Sequence, residues 1–216
     1  MREALGRLLV FSAALALPAV AAAQNPPAAP PAAPAPSAGT VMPMMWGPTA
    51  GANFSSFGGS DATGSSSRTA FYVGLAVQRG LAPNIFLNTG ATYMMRGADV
   101  TGGLTLKINY INIPIQIGYL FPTRSTMSPY LSGGLDVGIN VSCDVEQGGT
   151  SDSCENQGAD AESLDYGLAL GGGILLGGGR FSIDARYFMG LKKITDQADI
   201  KNKGITLGGT YRLGGN

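Results

Sequence analysis

The sequence predicts an all-β fold: an eight-stranded antiparallel up-and-down transmembrane β-barrel, with short turns at one end and longer loops at the other. Three observations predict it. The first is the run Ile111-Asn112-Ile113-Pro114-Ile115-Gln116-Ile117-Gly118-Tyr119-Leu120-Phe121, in which one parity carries Ile, Ile, Ile, Ile, Tyr and Phe and the other Asn, Pro, Gln, Gly and Leu. Side chains alternate faces along a strand, so one face of this segment is apolar and the other is polar or small. The second is that no apolar run after residue 23 is long enough for a transmembrane helix. A closed barrel is then the spanning structure that leaves no backbone group unpaired in lipid. The third is composition: only 13% charged residues with 33 glycines, which suits a thin-walled β structure better than a soluble helical one.

Residues 1–23 read as a secretory signal peptide. A charged start, Met1–Arg7, precedes the apolar run Leu8–Leu17, and Ala21-Ala22-Ala23 supplies small residues for cleavage before Gln24. Removing them takes two of the 14 basic and one of the 14 acidic residues and leaves a net charge of −1. That balance offers no basic field to attract nucleic acid. Residues 24–47 read as a periplasmic tether, with six prolines between Gln24 and Gly39 and Ala filling most other positions. Such a segment favours extended polyproline II and cannot bury a core.

The barrel itself is assigned to residues 48–213, with strands near 48–57, 69–79, 84–96, 104–121, 128–142, 162–176, 180–193 and 203–213. Short turns are marked by Gly80–Pro83, Pro122–Met127 and Gly177-Gly178-Gly179. The connections at the opposite end, Gly58–Arg68, Gly97–Gly103, Cys143–Ala161 and Ile194–Asn202, are longer. Outer-membrane barrels place short turns in the periplasm and long loops outside the cell. On the outward parity, Phe71, Tyr93, Tyr166 and Tyr187 fall near one interface and Tyr119, Phe121, Phe181 and Tyr211 near the other, with aliphatics between. This is the pattern of two aromatic girdles. Tyr72, Phe86, Tyr110, Tyr130 and Phe188 fall on the inward parity, against the pattern.

The remaining inward positions are small and polar. They include a charged group, Asp136, Asp165, Asp184, Arg186 and Arg212, on the fifth to eighth strands. Two readings of that group stand: an interlocking polar core in which the charges pair with one another, or a narrow water or ion path. Eight strands leave an interior just wide enough for side chains to fill, which favours the first. Cys143 and Cys154 lie in the longest loop, and two cysteines in an exported chain are expected to form a disulfide. The same loop carries Asp144, Glu146, Asp152, Glu155, Asp160 and Glu162, with no Lys or Arg between Arg124 and Arg180. A solvated acidic loop is the expectation there, since the spacing matches no cation-binding loop.

With the strands laid out, the chain resembles the bacterial outer-membrane β-barrel family that includes the PorT-like proteins. The resemblance lies in Gly51-Ala52-Asn53-Phe54-Ser55, Tyr110-Ile111-Asn112-Ile113-Pro114, Pro129-Tyr130-Leu131 with Gly133-Gly134, and Asp184-Ala185-Arg186-Tyr187. It implies outer-membrane localisation, lipid and lipopolysaccharide as surroundings, and assembly by the barrel-assembly machinery. Barrels of this kind often end on an aromatic, whereas Tyr211-Arg212-Leu213 is followed here by Gly214-Gly215-Asn216. The chain contains no His, so the usual proton-transfer base near neutral pH is missing. No catalytic residues, metal ligands or cofactors are assigned. The expected function is that of a small non-enzymatic outer-membrane barrel contributing to envelope structure or to surface interaction with an extracellular or envelope protein. The alternative is a narrow channel or a PorT-like component of a secretion apparatus.

Overall fold

A computed structural model describes residues 41–157, 162–195 and 198–214. The predicted signal peptide, residues 24–40 of the tether and Asp160 lie outside the described residues. Eight long strands run in sequence: β1 Met45–Gly58, β2 Ser65–Ala82, β3 Ile85–Val100, β4 Leu104–Leu120, β5 Ser128–Gln147, β7 Leu164–Leu176, β8 Phe181–Gly190 and β9 Lys201–Tyr211. Two short strands join them. β6 (Thr150–Ser153) pairs with β5, and β10 (Leu213–Gly214) pairs with β1. Each long strand is antiparallel to its chain neighbour, and β1 also pairs with β9, from Thr49↔Thr210 to Gly58↔Lys201. That pairing closes the sheet into a barrel.

Strand positions follow the sequence reading closely, with differences that have local causes. β1 begins at Met45, inside the segment assigned to the tether, because Met45 and Trp46 find partners in Gln78 and Val77 on one side and Gly214 and Leu213 on the other. β3 continues into the expected loop Gly97–Gly103 as far as Val100, and the chain turns at Thr101–Gly103, where Gly102 and Gly103 take positive φ, before β4 begins at Leu104 as expected. β5 runs on to Gln147 and folds back as β6, so much of the expected loop Cys143–Ala161 is a hairpin. At the turn end, Pro83-Asn84 alone links β2 to β3. Asn84 takes φ 64°, a conformation that Asn tolerates better than other side-chain-bearing residues. Pro114 has no N–H to donate, and the β3–β4 ladder breaks opposite it, resuming at Thr92↔Asn112.

The wall is inverted relative to a soluble protein. Phe71, Val73, Leu75, Ile115, Ile117, Leu135, Ile139, Leu168, Leu170, Ile183, Ile205 and Leu207 are all exposed on the outside. Aromatics end this band at both edges. Tyr119 and Phe121 meet edge-to-face at 5.2 Å, and Phe181 and Tyr211 meet at 4.8 Å, at the turn end, beside exposed Trp46. Inside, Gln78, Asn112, Gln116, Ser132, Asp136, Asp165, Asn202, Thr206 and Thr210 are buried.

The five aromatics on the inward parity are lumen fillers. Tyr72, Phe86, Tyr110, Tyr130 and Phe188 are all buried. Phe86 and Tyr130 join Met42, Leu120 and Leu175 in an apolar cluster at the turn end. Tyr110 joins Phe57, Ala98, Ile108 and Ile194 in a second cluster at the loop end. Glycine opposite three of the rings makes room for them. Phe86 lies directly across from Gly118, where a Cβ would fall on its ring. Tyr72 lies across from Gly51, where a Cβ would come within 2.7 Å of the ring, and Tyr130 lies across from Gly173, where a Cβ would come within 2.9 Å of its hydroxyl.

Filling that space from the glycine side forces either the ring or the backbone to move. Gly118→Val should therefore destabilise the barrel by about 2 kcal/mol or more. Gly133→Ala, whose added carbon would meet only the mobile tip of Leu170 at 3.3 Å and the carbonyl of Ala169 at 3.5 Å, should be near neutral. Urea unfolding in detergent micelles, followed by tyrosine fluorescence, measures both; equal effects would show that the pairing does not matter.

Candidate functional site: the lumen network and the disulfide hairpin

Between the two apolar clusters the lumen holds a belt of charge. Arg96, on the inward face of β3, is 3% exposed. Its Nη1 donates to Asp165 Oδ2 on β7 at 2.9 Å, and its Nη2 to Asn112 Oδ1 on β4 at 2.8 Å. The guanidinium carbon sits 4.1 Å from the Phe188 ring centre and 5.3 Å from that of Tyr110. These are cation–π distances in a site with little water. Asn202 of β9 completes the cluster, donating to Asp165 Oδ2 at 2.8 Å and to the Tyr110 hydroxyl at 3.2 Å. Five strands thus meet at one guanidinium–carboxylate pair.

A second cluster lies further toward the turn end. Asp136 accepts from Gln116 Nε2 at 2.9 Å and from Asn112 Nδ2 at 3.4 Å. Arg186 stands 3.9 Å from both Asp136 and Asp184, bridging β5 and β8. Arg212 lines a small cavity with Tyr130, Asp184 and Arg186. Of the five charged residues singled out from sequence, Asp136, Asp184, Arg186 and Arg212 lie in this one region. Asp165 does not pair within the group; its partner is Arg96, across the barrel on β3. Arg96 escaped the sequence reading because it falls at the last position of the predicted third strand, before Gly97. Its inward parity with Thr92 and Met94 was the available signal. Three arginines and three aspartates make the described belt neutral overall.

At the loop end, Cys143 and Cys154 are bonded, with Cα atoms 5.4 Å apart. The bond closes the root of the β5–β6 hairpin, just beyond the pair Asp144↔Ser153. Closing a loop of this length is worth on the order of 3 kcal/mol in the chain-entropy picture. The acidity of this region is partly offset from neighbouring elements: Glu146 pairs with Lys107 on β4, and Glu162 with Lys192 at 2.8 Å. A separate clasp joins the β1–β2 and β8–β9 loops. Asp199 accepts from the Ser60 N–H and hydroxyl, both at 3.4 Å, while its own N–H donates to Asp61 at 2.7 Å. The Ser60 backbone bond, assisted by nearby Lys201 and Lys193, holds the Asp199 carboxyl below the usual carboxylate range.

A closed eight-stranded wall, apolar outside and polar inside, is matched by a family comparison. The sequence model of the "Outer membrane protein beta-barrel domain" family covers residues 23–196. The chain belongs to that family. This outer-membrane barrel is also similar to solved structures at low identity. Neisserial surface protein A is 15% identical, with 78% of this chain and 97% of that one covered and a TM-score of 0.49. OprG of Pseudomonas aeruginosa is 16% identical, with 81% and 98% covered and a TM-score of 0.49. Ail, the attachment invasion locus protein of Yersinia pestis, is 19% identical, with 80% and 100% covered and a TM-score of 0.43. No curated protein sequence matches significantly.

The Arg96 cluster yields a test of what holds the lumen together. Removing one member of a buried ion pair leaves the other charge uncompensated, at a cost of about 3–5 kcal/mol. Arg96→Met should therefore shift the urea midpoint of this barrel strongly. Arg96→Met with Asp165→Asn should recover part of the loss, because no bare carboxylate remains. If the double variant is no better than the single one, the pairing with Asp165 is not what Arg96 contributes.

Proposed function

We propose that this outer-membrane barrel is non-enzymatic and non-conducting, a rigid pedestal that holds its loops at the cell surface for envelope structure or surface interaction. The filled lumen carries the reading. Apolar clusters stand at both ends, and the Arg96 guanidinium, paired with Asp165, lies against the Tyr110 and Phe188 rings. Among the described residues, lumen cavities of about 10 and 20 Å³ have room for about one water each. The lack of any His in the chain supports the absence of acid–base catalysis. On this reading the disulfide hairpin and the Asp61–Asp199 clasp shape the displayed surface. The partners are outer-membrane lipid and lipopolysaccharide around the wall, the barrel-assembly machinery during insertion, and an extracellular or envelope protein at the loops.

The finer PorT-like grouping rests on the motifs of β1, β4, β5 and β8, and with it the alternative of a narrow channel or a secretion component. Conductance separates the two. Purified protein reconstituted in planar bilayers should give no single-channel steps above the leak of protein-free membranes. Reproducible steps would reverse the assignment in favour of the channel.

A further inference from the structure

The exposed cations of this barrel are sorted by kind and by end. All five lysines of the chain, Lys107, Lys192, Lys193, Lys201 and Lys203, lie at the loop end. At the turn end the exposed cations are arginines, one on each hairpin: Arg79 near the end of β2, Arg124 between β4 and β5, and Arg180 between β7 and β8. Arg79 shares the outward parity of exposed Val73 and Leu75. No carboxylate answers them. Residues 75–90, 115–132, 172–183 and 205–216, which make up the turn end, contain no Asp or Glu, and neither does the chain from Gln24 to Ser60. Asp184, next in sequence, is on the inward parity opposite Gly173 and Gly208. Among the described residues, no ion pair includes Arg79, Arg124 or Arg180.

Each of these arginines also stands beside the aromatics that end the apolar band. Arg124 follows the Tyr119–Phe121 pair by three residues, and Arg180 adjoins the Phe181–Tyr211 pair. Arg79 lies two positions beyond Val77, the cross-strand partner of Trp46. Aromatic girdles mark the headgroup layer of a bilayer. A guanidinium at that depth lays its stem along apolar surface and keeps its charge among the headgroups. Its planar fork matches two oxygens of a phosphate, which a lysine ammonium does not. We propose that the turn-end rim is a binding surface for anionic phospholipid headgroups, with Arg79, Arg124 and Arg180 as the phosphate-binding groups. Position selects this occupant: the three cations flank outward-facing rings at the lipid edge, where a headgroup phosphate is fixed beside them. The segment Gln24–Thr40 is excluded as the occupant, because it carries no carboxylate. Turn ends of outer-membrane barrels face the periplasm, so the leaflet concerned is the inner one.

The inference deepens the lipid part of the proposed function and rests on the wall lying in a bilayer; it does not depend on a sealed lumen. The chain supplies its own probe. Its single tryptophan, Trp46, is exposed on this rim, paired with Val77 on one side and Leu213 on the other. Arg79 lies beyond Val77, and the Arg180 carbonyl accepts from the Arg212 N–H at 2.6 Å, so these two arginines flank Trp46. The chain from Gln24 to Asn216 is folded into vesicles of phosphatidylcholine and phosphatidylglycerol, mixed equally in both leaflets, with one lipid brominated at a time. Quenching of Trp46 then reports which lipid occupies the rim. Phosphatidylglycerol should be preferred by about five-fold or more, the factor that one arginine near a headgroup layer contributes. Arg79→Gln with Arg180→Gln should abolish the preference, while Arg124→Gln, on a distant hairpin, and Lys203→Gln, at the loop end, should leave it, each variant keeping the folded band on unheated gels. Equal quenching by the two brominated lipids, or a preference that survives the double substitution, would overturn the proposal. Loss of the preference on adding inorganic phosphate at constant ionic strength would overturn it too, in favour of a site for the free ion. Absence of quenching by any brominated lipid would instead remove the wall from the bilayer, and the proposal with it.

Discussion

Hydrocarbon offers the backbone no hydrogen-bond partner, and every other feature of this chain follows from meeting that constraint with strands. A sheet can satisfy all of its N–H and C=O groups in lipid only by closing on itself, which here is done by β1 pairing with β9. Closure makes two faces of unequal character. The outside meets acyl chains and carries Ile, Leu, Val and aromatic girdles; the inside is a narrow column that side chains themselves must fill.

The narrowness of that column explains why the interior is neither simply apolar nor simply polar. Large rings enter where the facing strand carries Gly, as at Phe86–Gly118, Tyr72–Gly51 and Tyr130–Gly173. The abundance of glycine in the sequence is thus a packing requirement as much as a conformational one. Between the ring-filled ends, the charges persist by mutual neutralisation. Asp165 is held by Arg96, Asn202 and the surrounding rings, and Asp136 by Gln116, Asn112 and Arg186. The outcome is a plugged cylinder whose freedom to vary lies in its loops.

The strand count, the closure and the inward–outward alternation were legible in the sequence because each depends on a period-two pattern that lipid enforces. Legibility stopped where lipid stops. β5 beyond Val141 and the β6 strand lie past the apolar band, so their pairing left no alternation to read and the region passed for a loop. Met45 and Trp46 fall within the segment read as tether, whereas their strand state comes from partners on both neighbouring strands of the sheet. The inward aromatics registered only as exceptions, since the glycines that accommodate them sit on other strands at distances in sequence that no local pattern reveals. Arg96 was missed for a related reason: its significance lies in Asp165, 69 residues away, and in two rings from two further strands.

The central claim is that one face of each strand touches lipid while the other faces a filled lumen. Spin labels placed singly from Ile111 to Leu120 in the bilayer-reconstituted protein, with the native disulfide intact, report this directly through their collision rates with oxygen and with a water-soluble nickel complex. The account predicts a strict two-residue alternation, with high oxygen contact at Ile113, Ile115 and Ile117 and low contact at their neighbours. A flat profile, a period near 3.6, or ready nickel access at Ile115 and Ile117 would contradict it.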